Sequence, residues 1–247
     1  MKAIVLGAGK GTRLQSEQHH MPKVLRQANG KPLIEYVLKS IDFISPQDTV
    51  IVVGYRKEMV MQQVGPRYQY AVQEEQKGTG HAVQMAYEVL RDYDGDLLIL
   101  YGDMPLFNRS TYQDLIQAHR QSGADCTVLS AQVDKPLPYG RILRDQFGNL
   151  MDIIEEKDCT PEQKKISEMN VGIYVFKSKL LFENLKLLDN HNAQQEYFLT
   201  SVPKIMIEKG LTVKLHKIEG GDEIYGVNTP EDLAFCEKVL KQRNQNK

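Results

Sequence analysis

Ala3-Ile4-Val5-Leu6-Gly7-Ala8-Gly9-Lys10-Gly11-Thr12-Arg13, followed by Pro22-Lys23-Val24-Leu25, sets the fold class of this 247-residue chain. The apolar run at 3–6 reads as a first buried strand, and the glycine-rich segment as the turn off its carboxyl end. Three glycines within five residues let the backbone turn sharply and offer bare N–H groups to an anion. Lys10, Arg13 and Lys23 add positive charge around the same spot. Such a turn is a place to hold a triphosphate. Two familiar glycine motifs fail here. The dinucleotide fingerprint G-x-G-x-x-G needs a third glycine where Thr12 or Leu14 stands, and the P-loop needs Lys after Gly11, which is followed by Thr12. An ordinary glycine-rich strand–helix loop with solvated charges fits these residues equally well.

Composition narrows the class. Hydrophobic residues make up 41% and charged residues 26%, so the chain is expected to be globular. A net charge of -1 gives no bulk footprint for nucleic acid. No stretch approaches the roughly 18 consecutive apolar residues of a membrane span, and the N-terminus lacks a signal-peptide pattern. Cys126, Cys159 and Cys236 show neither metal-ligand spacing nor a disulfide framework. They fit a reducing cytoplasm, as small partly buried side chains.

Apolar runs alternate with helical spacings, which predicts an α/β chain with a mostly parallel sheet covered by helices. The expected strands are Ala3–Leu6, Val50–Val53, Tyr70–Val72, Leu97–Tyr101 and Thr127–Ala131. Helical spacing recurs through Ile34, Val37, Leu38 and Ile41, through Ala82 to Leu90, and through Tyr112, Leu115, Ile116 and His119, where His119 reads as a satisfied core residue. Beyond Ala131, Pro136, Pro138 and Gly140 break the pattern. Arg141–Leu143 and Leu150–Ile154 flank Asp145-Gln146-Phe147-Gly148-Asn149, a hairpin turn. Asn170–Phe176 and Val213–His216 are strands, and Lys179–Leu187 and Val202–Glu208 are helical. Thr229 caps the last helix with Pro230 at its first position, and the polar Gln242–Lys247 frays. The expectation is a single domain over 1–247, with a nucleotide-binding half (about 1–131) and a sugar-binding half (about 132–247).

Two further segments carry chemistry. Leu97-Leu98-Ile99-Leu100-Tyr101-Gly102-Asp103 is an apolar strand ending in a carboxylate, at the sheet edge where α/β proteins bind ligands. Asp103 there suits a phosphate-bound Mg²⁺, which takes few protein ligands; a strand-end turn cap is the plainer use. Gln73 and Gln76-Lys77-Gly78-Thr79-Gly80-His81-Ala82 form a second loop running into a helix. A glutamine amide suits a pyrimidine edge, and Gly78 and Gly80 permit close approach. Thr79 as a helix cap is the plainer reading. His81 reads as a helix-start residue with nothing nearby to orient it.

These stretches recur in order with Tyr139-Gly140-Arg141-Ile142, Ile154-Glu155-Glu156-Lys157-Asp158, Asn170-Val171-Gly172, Asn192-Ala193-Gln194-Gln195-Glu196-Tyr197 and Gly226-Val227-Asn228. The set resembles the sugar-nucleotidyltransferase family over essentially the whole chain, most closely the uridylyltransferase domain of the bacterial N-acetylglucosamine-1-phosphate uridylyltransferases. The resemblance implies a Rossmann-like three-layer nucleotidyltransferase fold, a mostly parallel mixed sheet with a small β-rich sugar-binding subregion. It implies that the nucleotide lies on Leu6, Gly7, Ala8, Gly9, Gly11 and Thr12, with Gln73 and Gly78 on the uracil. Arg13 and Lys23 would neutralise phosphate, and Asp103 and Asn228 would bind Mg²⁺. Thr79, Tyr101, Gly140, Glu155, Asn170 and Thr200 would line the sugar site.

The implied reaction is Mg²⁺-dependent transfer from UTP to a sugar-1-phosphate, N-acetylglucosamine-1-phosphate first, as in cell-wall precursor synthesis. Glucose-1-phosphate, dTTP or CTP, and a non-catalytic nucleotide sensor, remain alternatives. The failed fingerprint disfavours a dehydrogenase. No nucleic acid or membrane partner is expected, and a homo-oligomer is left open. Gly7 stands where the family usually has Ala, which predicts a looser loop. The connection at 15–21 is about three residues longer than usual and carries His19-His20, a gate for the triphosphate or an exposed variable loop. Ser201 replaces a common Asp. The chain stops before any hexapeptide repeat of the family's C-terminal acetyltransferase, and its polar end favours a stand-alone enzyme.

Overall fold

The computed structural model describes residues 1–11, 14 and 20–245. Thr12, Arg13 and His19 therefore lie outside the described residues. Strand β1 (Lys2–Gly7) is followed by the two-residue strands β2 (Gln27–Ala28) and β3 (Lys31–Pro32), then helix α1 (Leu33–Ser40). Next come β4 (Thr49–Val53), α2 (Lys57–Val64), β5 (Gln69–Val72), α3 (Thr79–Met85), α4 (Tyr87–Leu90), β6 (Asp96–Tyr101), α5 (Arg109–Ser122) and β7 (Cys126–Gln132). The hairpin β8 (Gly140–Arg144) and β9 (Leu150–Ile154) leads to the long β10 (Glu168–Lys177). Helices α6 (Ser178–Leu185) and α7 (Val202–Glu208), strand β11 (Val213–Glu219) and helix α8 (Pro230–Gln245) complete the order.

The central sheet has the strand order β11-β7-β10-β6-β1-β4-β5. β6, β1, β4 and β5 run parallel to one another. β10 enters antiparallel between β6 and β7, and β8 and β9 extend the sheet from β10. Residues along β1 alternate between two cores, as a pleated strand requires. Ala3 and Val5 join Ile34, Val37 and Leu38 of α1, Val60 of α2 and Leu115 of α5. Ile4 and Leu6 join Ala82 and Val83 of α3, Leu181 and Phe182 of α6, and Val202 and Met206 of α7. The result is a Rossmann-like three-layer α/β fold. A smaller core packs Cys236, Val239 and Leu240 of α8 on Leu14, Leu33 and Leu106. No helix among the described residues is long and apolar enough to cross a membrane.

Several expectations change. The helix read through Ala82–Leu90 is two helices, because Ala86 departs to ψ -6 between them. α2 escapes the periodicity because Val60 is its one buried residue. α8 stays helical to Gln245, so fraying does not begin at Gln242. Gly7 is the last residue of β1, and a Cβ there would meet its nearest atom at 3.4 Å, an ordinary contact. Of the three loop glycines only Gly11 takes a positive φ, +67°. The hairpin turn stands as expected, closed by Asp145 N–H to the Asn149 carbonyl at 2.9 Å. Asp232 N–H donates to the Thr229 hydroxyl at 3.2 Å, the expected cap.

Candidate active site

The carboxyl ends of the parallel strands meet at one edge. Gly102 N–H donates to the Leu6 carbonyl at 2.8 Å, joining the end of β6 to that of β1. Tyr55 N–H reaches the Ala8 carbonyl at 3.3 Å, and Gln73 N–H reaches the Val53 carbonyl at 2.8 Å. These bonds set the first glycine loop, Gln73 and Asp103 around one cleft. Among the described residues, nothing accepts from the N–H groups of Ala8, Gly9, Lys10 or Gly11. Such unspent donors at a strand end suit an anion.

The cleft has two joined compartments. The first is lined by Leu6, Gly7, Ala8, Gly9, Lys23, Gln73 and Gly78. The second, a cavity of about 410 Å³, is lined by Gly140, Glu155, Asn170, Thr200 and Asn228. Thr79, Tyr101 and Asp103 belong to both. Gly11 lies in a neighbouring cleft with Lys10 and Gln76. Thus the candidate residues, apart from Thr12 and Arg13, converge as two adjoining groups and one neighbour.

At the junction the Lys23 ammonium contacts Asp103 Oδ2 and donates to Asn228 Oδ1 at 2.8 Å. Both side chains of that ion pair are largely buried. Asn228 is far away in sequence, and three devices deliver it. Val227 N–H donates to the Asp103 carbonyl at 2.9 Å. Asp232 Oδ2 accepts from the N–H groups of Asn228 and Thr229 at 2.8 and 2.9 Å. The Tyr139 hydroxyl donates to the Ile224 carbonyl at 3.0 Å and accepts from Gly226 N–H at 2.9 Å. Burial pushes that phenol up to about 12, so it keeps its proton.

In the second compartment Thr200 Oγ1 donates to Glu155 Oε1 at 2.9 Å. Burial raises the Glu155 carboxyl above its ordinary value, and Asp158 and Glu196 add to this, against the Thr200 hydrogen bond. Burial, with Glu155 nearby, raises the Tyr101 phenol, so it remains a donor. The Asn170 amide donates to Tyr174 Oη at 2.7 Å and accepts from Gly172 N–H at 3.3 Å. Each end of that amide therefore already has one partner within the protein. At Gly172, φ is +76° and an added Cβ would sit 2.6 Å from Tyr101 Cε2, so the bulge in β10 makes room for the Tyr101 ring.

Two readings of the second loop are corrected. Thr79 does not cap α3: Gly78 is at the cap position, and the Thr79 hydroxyl accepts from Leu199 N–H at 3.0 Å. His81 does have an orienting neighbour, because its Nδ1 lies 2.9 Å from Gln73 Nε2. At Gly78 (φ +110°) a Cβ would fall 2.5 Å from the Tyr197 carbonyl oxygen, so its close approach is to the protein's own backbone.

Sequence reasoning gave no role to Glu196, which reaches all three clefts, or to Tyr139 and Asp232. Glu196 and Tyr139 lay within quoted motifs, and Asp232 in the first turn of a capped helix, but nothing in their spacing pointed inward. Among the described residues no cluster of three His, Cys, Asp or Glu could hold a metal. Asp103 and Asn228 together present two side-chain oxygens to the Lys23 ammonium.

A family profile described as nucleotidyl transferase matches residues 2–220. Curated relatives named Bifunctional protein GlmU are similar over nearly the whole chain. That of Acetivibrio thermocellus is 40% identical over 243 residues, 98% of this chain and 52% of the relative. That of Streptococcus mutans is 40% identical, and that of Limosilactobacillus fermentum 42% identical, each over 241 residues with the same coverage. The chain spans about half the length of these relatives.

Proposed function

Because this chain belongs to the nucleotidyl transferase family, we propose that it makes a UDP-sugar and pyrophosphate from UTP and a sugar-1-phosphate, with N-acetylglucosamine-1-phosphate as the sugar substrate. The observation that carries this reading is the meeting of Lys23, Asp103 and Asn228 where the two compartments join. A nucleotide in the first and a sugar phosphate in the second would bring their phosphates to that junction.

An oxygen of the sugar phosphate attacks the α-phosphorus of UTP in line. A new P–O bond forms, the bond to the β-phosphate breaks, and its electron pair leaves on pyrophosphate. The nucleophile is already anionic at pH 7, so no general base is required. What the chain supplies is alignment and charge neutralisation. Lys23 and, in this reading, Arg13 offset charge on the α-phosphate and the departing pyrophosphate. The open N–H groups of Lys10 and Gly11 hold phosphate oxygens, with Thr12 beside them. Gln73, Gly78 and the backbone of 6–9 hold the uracil. Tyr101, Thr79 and Gly140 shape the sugar side, Glu155 accepts from sugar hydroxyls, Asn170 meets the acetamido group, and Thr200 holds Glu155.

The donor set suits Mg²⁺. One carboxylate and one amide oxygen already converge on a cation, the Lys23 ammonium. Hard oxygen donors in so small a number, completed by phosphate and water, are typical of that ion. Held by Asp103 and Asn228, Mg²⁺ would neutralise phosphate charge and act as a Lewis acid on phosphoryl oxygen. Lys23, released from those two oxygens, would be left to pair with phosphate.

We read 1–131 and 132–247 as nucleotide and sugar halves of a single domain. The insertion of β10 between β6 and β7 supports this reading. A cytoplasmic location is proposed from the three buried, unpaired cysteines. The test is a pyrophosphate-release panel that pairs each nucleoside triphosphate with a set of sugar-1-phosphates, with and without Mg²⁺. Selective, metal-dependent turnover of UTP with N-acetylglucosamine-1-phosphate is expected. Preference for another pair would replace the substrates, and nucleotide binding without pyrophosphate release would make the protein a sensor.

A further inference from the structure

We propose that His81 is a second anchor, beside the Gly78 carbonyl, that strengthens base selectivity by holding the Gln73 amide with its oxygen toward the ligand. This rests on the reading of the first compartment as the uridine site.

Gln73 is almost fully buried, and its Nε2 has two neighbours: the Gly78 carbonyl at 3.0 Å and His81 Nδ1 at 2.9 Å. A carbonyl only accepts, so the NH₂ end of the amide must face Gly78. With that end placed, its second hydrogen points to His81, and Nδ1 must be the unprotonated, accepting nitrogen of the ring. Both amide hydrogens are then used inside the protein.

What remains to a ligand is Gln73 Oε1, which takes no donor from the described residues. An oxygen there is an acceptor only. It pairs with the N3–H of uracil or thymine and faces a lone pair on N3 of cytosine. Gly78 alone holds one of the two hydrogens. Without His81 only that one bond resists rotation of the amide toward offering its NH₂ to cytosine, so the second anchor deepens a preference that the Gly78 carbonyl sets. His81 is thus a positioning residue that acts through Gln73. This use also explains why a histidine at a helix start has its ring aimed back at the preceding strand end.

The test is the ratio of kcat/KM for UTP to that for CTP, with the sugar phosphate and metal held constant. His81→Ala should lower the ratio at least about 10-fold, chiefly through KM, since one buried hydrogen bond left unmade is worth roughly that much in selectivity. His81→Asn, whose Oδ1 can accept where Nδ1 does, should restore the ratio to within a few-fold of wild type. A wild-type ratio in His81→Ala, with a collapsed ratio in Gln73→Ala, would overturn the proposal and leave the base site standing. An unchanged ratio in Gln73→Ala would overturn the base site and the proposal together.

Discussion

In the proposed reaction, Lys23 and Asp103 stand where two phosphate-bearing substrates would be held against mutual repulsion. Removing such a group typically costs on the order of 100- to 1000-fold in rate, about 3–4 kcal/mol. Lys23→Ala and Asp103→Asn are each expected to lose that much kcat in steady-state assays, and turnover within a few-fold of wild type in both would refute the assignment. Glu155 gives a prediction of opposite sign for stability. Burial raises its carboxyl above the ordinary 4.5, so the folded state binds its proton more tightly than the unfolded chain. The cost of keeping it ionised is absent below that value and fully present once pH passes the raised folded value. Glu155→Gln should therefore melt at or above wild type at pH 7, with the difference vanishing toward pH 4, while its sugar KM rises. His81 is shifted the other way, lowered by burial and by the Lys77 charge against the opposing Glu75. Discrimination between UTP and CTP should stay flat from pH 8 down to the ordinary histidine value of 6.5, and fall only at more acid pH, where a proton on Nδ1 ends its acceptance. Individual residues were readable in sequence where a charge or glycine stood at a strand end. Partners such as Tyr139 and Asp232 were not, because their roles depend on contacts with residues distant or out of pattern.

At the scale of elements, a clasped loop and a strand bulge shape the second compartment. The 224–228 segment is clasped by the Tyr139 hydroxyl and by the Asp103 carbonyl. Tyr139→Phe removes one donor and one acceptor from that clasp, about 1–3 kcal/mol of unfolding stability by urea melt. It should also raise the Mg²⁺ concentration needed for half-maximal rate, since Asn228 follows the segment. The β10 bulge is the second device. Gly172→Ala combines a left-handed φ with a clash against Tyr101, and is expected to cost about 1–3 kcal/mol and to raise the sugar KM without a matching change in the UTP KM. Most strand positions were legible because short apolar runs bounded by polar turns leave little choice; the two-residue strands β2 and β3 carry no such run. Helix α2 was not, since its single buried side chain gives no apolar stripe. The break between α3 and α4 was hidden because apolar residues continue through Ala86.

Across the whole molecule, the alternation of strands and helices announced a mostly parallel sheet covered by helices, and the ordered motifs carried a resemblance that implied the family and its three-layer fold. The sheet order was not legible. Local sequence says nothing of β10 running antiparallel between β6 and β7; its burial on both faces suits an interior strand of either direction. Helix α8 closes a separate core over Leu14, Leu33 and Leu106, and burying side chains such as Leu240 and Val239 contributes roughly 1.5–3 kcal/mol each. The convergence of Lys23, Asp103 and Asn228 is the feature on which nucleotidyl transfer depends in this account. Its most direct test is the Mg²⁺ dependence of pyrophosphate release from UTP and N-acetylglucosamine-1-phosphate, compared among wild type, Asp103→Asn and Asn228→Ala. Release should stop on chelation in wild type and shift to higher Mg²⁺ in both variants; an unaltered Mg²⁺ dependence, or turnover that persists without metal, would contradict a role for that convergence.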